Sequence, residues 1–187
     1  SHIPNYSEFY EARHFSPAPD TPIPVTFCGQ ETLLGRERIY SCADAPEFTV
    51  GVEICEDLWV PEPPSSRMAQ CGATVLLNPS ASDEVIGKAN YRRSLVRDQS
   101  ARLFCAYAYA DAGEGESSTD LVFAGHDLLA ENGAILAESQ PFTTGLVTAE
   151  VDLQRLVQER RRANTWADRF GGPAPIPFSL SLPELTL

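Results

Sequence analysis

Two compact apolar runs, one helix length apart, most narrow what this chain can fold into. Thr74-Val75-Leu76-Leu77 and residues 105–110 have the continuous apolar character of strands covered on both faces. Between them, residues 88–104 place Tyr91, Leu95, Gln99 and Leu103 at helical spacing. Parallel neighbours need a crossover of a dozen or more residues, and a helix is the usual solution. The same arrangement occurs once earlier. Phe48, Val50, Val52 and Ile54 alternate with Thr49, Gly51, Glu53 and Cys55, which is strand periodicity ending at the cysteine. After Pro63-Pro64, residues 65–71 read as a short helix stopped by Gly72. Two strand–helix–strand units in series predict an α/β domain with helices packed on a sheet.

The pattern changes at Asn132-Gly133, the strongest short hairpin signal, which joins Asp127-Leu128-Leu129-Ala130 to Ala134-Ile135-Leu136-Ala137. Residues 146–151 are expected to add one more strand. Asp152 is then placed to cap a helix with Leu153, Leu156 and Val157 facing inward and Arg160, Arg161 and Arg162 at its C-terminal end. At the front, Asn5 and Glu8 resemble a capping box, and a short helix is expected over residues 6–13. The compact domain is expected to span residues 1–164. Residues 165–187, with Gly171-Gly172 and Pro173, Pro175, Pro177 and Pro183, read as a linker without regular structure.

At 187 residues and 43% hydrophobic the chain can bury one core. A net charge of -12 opposes binding to phosphate backbones or anionic lipid, so no nucleic-acid or membrane partner is expected. Cys28, Cys42, Cys55, Cys71 and Cys105 are odd in number and never spaced C-x-x-C, which argues against a disulfide framework or a zinc cluster. No metal site is expected, and a reducing cytoplasm fits best. No apolar run approaches the ~20 residues of a membrane-spanning helix.

The chemistry points to Cys55. A cysteine at the end of a buried strand can be held exposed on a fixed backbone, with the N–H of Glu56 aimed at a developing oxyanion. Glu53, Glu56 and Asp57 would each raise its thiol pKa by like-charge repulsion, so a reactive Cys55 requires a cation nearby. Lys88 is the only lysine. His2, His14 and His126 form no recognisable cysteine–histidine dyad with Cys55 and read as surface or polar-core histidines. Gly113-Glu114-Gly115-Glu116-Ser117-Ser118 is glycine-rich but acidic, without the lysine of a phosphate-binding loop, and fits a flexible or contact-making loop better. Arg92, Arg93, Arg97 and Arg102 read as a solvated helix face.

Four segments in order carry a family resemblance: Pro4-Asn5-Tyr6-Ser7-Glu8-Phe9-Tyr10-Glu11-Ala12-Arg13; Gly51-Val52-Glu53-Ile54-Cys55-Glu56-Asp57-Leu58-Trp59; Asn78-Pro79-Ser80-Ala81-Ser82; and Ala112 with the acidic loop, Thr119, Asp120 and Leu121. Together they resemble the nitrilase-superfamily glutaminase domain of glutamine-dependent NAD synthetases. The resemblance implies part of a four-layer αββα sandwich and a Glu-Lys-Cys triad in which Cys55 is the nucleophile. The family's lysine and glutamate would both precede Ser1, so an N-terminally truncated domain, inactive alone, is expected. It also implies that Tyr6 and Phe9 wall the glutamine pocket while Glu56, Ser82 and Lys88 contact the substrate's amino and carboxylate ends. At Lys88 the family more often has arginine, which keeps the charge but loses the bidentate fork. For Tyr6 and Phe9 core packing competes with ligand contact, and for Ser82 so does capping of the next helix.

The same resemblance implies that the whole enzyme hydrolyses glutamine and passes ammonia to an ATP- and magnesium-using synthetase domain that amidates nicotinic acid adenine dinucleotide. No cofactor is expected within these residues. The expected partners are the missing front of the domain, the synthetase domain and further copies in a homo-oligomer. A chain of this kind is also expected to leave apolar sheet surface open. Two other readings stay open: a different carbon-nitrogen hydrolase, such as an amidase or carbamoylase, and a non-catalytic docking module using the loop around Glu114 and Glu116.

Overall fold

The computed structural model describes residues 1–116, 120–166, 172 and 174–181. A small antiparallel hairpin comes first, β1 (Ile23–Phe27) and β2 (Gln30–Leu34), turning through Cys28 and Gly29 at φ 51° and 75°. The main strands are β3 (Ile39–Cys42), β4 (Thr49–Val52), β5 (Val75–Ser80), β6 (Ala106–Asp111), β7 (Leu128–Glu131), β8 (Ala134–Glu138) and β9 (Ile176–Phe178). They form one seven-stranded sheet in the order β8-β7-β6-β5-β4-β3-β9. The centre, β4, β5 and β6, is parallel, and β7 and β8 add the antiparallel hairpin through Asn132-Gly133.

The crossovers are the helices α1 (Pro64–Gln70) and α2 (Lys88–Leu103). Both cover the same face of the sheet, where Gln99 of α2 donates to Ser65 of α1 at 2.9 Å. The core lies under them, with Leu76, Met68, Val96, Tyr107 and Leu128 buried. Gly51 is required there: a Cβ at this position would meet Met68 Sδ at 3.0 Å and Leu76 Cδ2 at 3.1 Å, so the missing side chain lets α1 lie on β4. On the other face Val52 and Leu77 are register partners and remain 42% and 36% exposed, with Tyr40 beside them at 37%. This is the open apolar surface expected from the sequence.

A third helix, α3 (Leu153–Arg162), starts at Asp152, whose Oδ1 accepts from the Arg155 N–H at 2.9 Å. Leu156 is buried, while Leu153 and Val157 are half-buried. Arg160 turns inward and donates to the carbonyl oxygens of Ala73 at 2.7 Å, Leu103 at 2.9 Å and Phe104 at 3.1 Å. It thereby closes the C-terminal ends of both crossovers. Among the described residues, no helix is long and apolar enough to cross a membrane.

Four expectations are corrected. Residues 6–13 are not one helix: a turn is followed by the single 3-10 turn Glu11–Arg13, because Ser7 adopts φ 50° and interrupts helical geometry. Residues 146–151 form no strand, since they find no partner beyond the sheet's β8 edge, and Leu146 is left 88% exposed. The segment expected to be an irregular linker supplies β9, parallel to β3. Pro177 is tolerated because an edge strand leaves one side of its backbone unpaired, and Phe178 packs edge-to-face on Phe48 at 5.9 Å. Finally, Arg92 belongs to no solvated face; it is fully buried. Its Nη1 donates to Glu84 at 2.9 Å and to His126 Nδ1 at 3.0 Å, and His126 Nε2 donates on to Glu138 at 2.8 Å. Residues 117–119 of the acidic loop, and 167–171, 173 and 182–187 of the C-terminal segment, lie outside the described residues.

Candidate active site

Parallel strands present their C-terminal ends along one edge of a sheet, and loops leaving that edge are where side chains converge. Here β4 ends at Val52, β5 at Ser80 and β6 at Asp111. A cavity of about 500 Å³ opens off this edge and is lined by Tyr6, Phe9, Cys55, Glu56, Ser82 and Lys88. The six residues singled out from sequence thus lie around one space, although they come from three separate stretches of chain.

Cys55 opens the 3-10 turn Cys55–Leu58 in the left-handed conformation, φ 45°. A non-glycine residue costs roughly 1–2 kcal/mol there, so surrounding bonds have to hold it. Asp57 Oδ2 accepts from the Ile54 N–H at 2.9 Å, tying the turn to the strand end. Asp57 Oδ1 also accepts from the His2 N–H at 2.7 Å, which pins the start of the chain beneath the turn. On its other flank Cys55 N–H donates to Asn78 Oδ1 at 2.8 Å.

The thiol of Cys55 is half-buried, and its pKa lies above the ordinary cysteine value. Burial is the main cause, with Asp111 and Glu56 adding negative potential, while the Ala81 amide and Ser80 hydroxyl pull the other way. Two of the three acids suspected from sequence are turned elsewhere. Glu53 is buried against Tyr107 and the Ser65 N–H, and Asp57 is engaged by the turn. Asp111 at the end of β6 replaces them, and its own carboxyl is pushed up to about 6 by burial. A strand-end search along β6 would have found it.

Tyr6 donates to both oxygens of Glu56, at 2.9 and 3.0 Å, and stacks edge-to-face on Phe9 with centroids 5.9 Å apart. Burial and the Glu56 carboxylate raise its phenol to about 12. Ser82 is buried, donates its N–H to Asp111 Oδ1 at 2.8 Å, and does not cap α2, which starts from Gly87 at φ 85°. Lys88 does face the cavity, but its ammonium is paired with Asp83 and lies over the Trp59 ring, 5.0 Å from the centroid. Trp59, Asp83 and Tyr91 are lining residues that sequence reasoning missed.

Residues 1–161 match the family described as Carbon-nitrogen hydrolase. A glutamine-dependent NAD(+) synthetase of Mycobacterium tuberculosis is 45% identical over 170 residues, covering 90% of this chain and 25% of the relative. One from Homo sapiens is 32% identical over 108 residues. The chain therefore spans about a quarter of the curated relatives it matches. Among solved structures, a glutamine-dependent NAD(+) synthetase from Cytophaga hutchinsonii superposes with a TM-score of 0.65 at 27% identity, over 79% of this chain and 23% of that one. A carbon-nitrogen hydrolase from Helicobacter pylori G27 shares the fold at a TM-score of 0.64 and 21% identity, over 90% of this chain and 56% of that one.

Proposed function

The chain belongs to the carbon-nitrogen hydrolase family, and from that membership we propose that it hydrolyses the side-chain amide of glutamine through a thioester on Cys55. The observation that carries this reading is a left-handed, hydrogen-bonded cysteine at the end of a parallel strand, opening into a cavity that holds Glu56, Tyr6 and Lys88. In the first half-reaction the Cys55 thiolate attacks the amide carbon, the Glu56 N–H faces the oxyanion, and ammonia leaves with a proton from a general acid. Water then cleaves the thioester and releases glutamate. Glu56, braced by Tyr6, takes the substrate ammonium, and Lys88 and Ser82 take its carboxylate end.

The raised Cys55 thiol needs a cation, and Lys88, shared between Asp83 and the substrate's carboxylate end, does not serve it. The proton-transferring glutamate and the charge-stabilising lysine of the triad accordingly come from outside these residues, and the chain alone does not turn over glutamine. In the whole protein the released ammonia feeds ATP-dependent amidation of nicotinic acid adenine dinucleotide to NAD. ATP and magnesium are held by a separate synthetase domain. The setting is cytoplasmic.

The test is a diazoketone analogue of glutamine offered to the full-length protein. Stoichiometric mass addition at Cys55, blocked by glutamine and absent in Cys55→Ala, is the expected result. Labelling at another residue, or glutamine hydrolysis that survives Cys55→Ala, would sink the reading.

A further inference from the structure

We propose that Asn78 is a positioning residue for the nucleophile: its side-chain amide stands in for a missing strand carbonyl and holds Cys55 in the conformation that presents the thiol. This rests on Cys55 being the attacking group. The ladder between β4 and β5 ends with the Glu53 N–H donating to Leu77 O at 3.0 Å. Two residues further on, the chain has left the strand direction, and no backbone carbonyl of β5 takes the next N–H. Asn78 Oδ1 takes it instead, at 2.8 Å from Cys55 N.

The carboxamide cannot turn freely, because both its ends are committed. Oδ1 also accepts from the Ser80 hydroxyl at 2.8 Å, and Nδ2 donates to the Tyr107 hydroxyl oxygen at 3.0 Å. Tyr107 in turn donates to Glu53 Oε1, and Glu53 Oε2 accepts from the Ser65 N–H at 2.7 Å, in the first turn of α1. Asn78, Tyr107, Glu53 and Ser65 are all buried, at 1%, 0%, 2% and 0% exposure. A buried network with every member satisfied is stiff, and breaking one link leaves desolvated groups unpaired. The chain of bonds therefore runs from the α1 N-terminal turn, across β6, to the backbone of the nucleophile. Its consequence is geometric: the Cys55 N–H is consumed, which leaves the next amide, that of Glu56, to face an oxyanion.

The test uses the full-length protein with Asn78→Leu, Asn78→Asp and Tyr107→Phe. Asn78→Leu removes the acceptor and is expected to lower kcat for glutamine hydrolysis about 100-fold with KM within threefold, since misplacing a reacting atom slows the chemical step more than binding. Asn78→Asp keeps the acceptor, so its plateau kcat stays within about fivefold. Its pH profile rises later, because a carboxylate now faces the thiol. Tyr107→Phe releases one end of the amide and costs about tenfold in kcat. Hydrogen exchange at the Cys55 amide gives a readout without glutamine: faster in Asn78→Leu, unchanged in Asn78→Asp. If wild type fails to hydrolyse glutamine at Cys55, the substrate reading falls while the exchange comparison still decides the positioning. Wild-type exchange and kcat in Asn78→Leu would overturn it, as would equal kcat losses in Asn78→Leu and Asn78→Asp with no shift in pH profile.

Discussion

Cys55 and Cys105 mark opposite ends of the parallel strands at the centre of one sheet, and they show how little residue type alone decides. Cys55 follows β4 at the edge where strands finish, half-exposed, in a left-handed turn, with polar groups around its thiol. Cys105 precedes β6 at the edge where strands begin, fully buried, and burial pushes its thiol to about 12. The charge that most opposes this is Arg160, whose guanidinium is already spent on the carbonyls that close α1 and α2 and is held at about 10 by burial. One end of the sheet opens into a cavity; the other is closed by Arg160.

The largest expected contrast is in activity. In the full-length protein, Cys55→Ala should abolish glutamine hydrolysis by at least about 10³-fold, whereas Cys105→Ala should leave kcat/KM within about twofold; a comparable loss in both would erase the distinction. Next comes stability at the closing end. Arg160→Leu leaves buried carbonyl oxygens of Ala73, Leu103 and Phe104 without their donor and should cost about 3–4 kcal/mol in urea unfolding.

The two ends should also differ in pH dependence. Asp111 has its folded pKa raised from 3.8 to about 6, so the native state binds the proton more tightly. Its contribution to stability is complete below about 4 and lost as pH rises through 6, and Asp111→Asn should flatten the profile in that window by at most about 3 kcal/mol. Cys105 obeys the same sign in a different window. Its contribution is complete below about 9 and lost toward 12, so Cys105→Ala should flatten only the alkaline side. The smallest effect is expected from Tyr6→Phe, which frees Glu56 of its two hydrogen bonds and should change KM for glutamine about threefold to tenfold at nearly constant kcat.

What could be read from sequence was whatever is local. Asn132-Gly133 encodes its hairpin in two residues, and the alternation from Phe48 to Ile54 leads directly to Cys55. The crossovers of α1 and α2 announce a parallel sheet by length alone. Arg92 was misjudged because a helix pattern does not say what stands opposite; Glu84, Asp111 and His126 come from other segments. Residues 146–151 have strand composition but no edge to pair with, and Tyr6 to Arg13 have helical spacing broken by one backbone angle at Ser7. At the site, Cys55, Glu56 and Lys88 are legible as chemistry. The Asn78 bond to Cys55 is a tertiary fact that spacing does not encode, and the Asp83 pairing of Lys88, though only five residues apart, follows no helical or strand spacing.

The position of β9 has a temporal consequence. Leu180 N–H reaches Asp44 across 136 residues of sequence, and Ile176–Phe178 lie along β3 at the far side of the sheet from β8. Contacts so distant along the chain are slow to form. During synthesis β3 therefore emerges long before its neighbour and waits as a bare border, with Tyr40, Ser41 and Cys42 open to a wrong partner. β9 is a late fastener, and until it engages that border is exposed to mispairing.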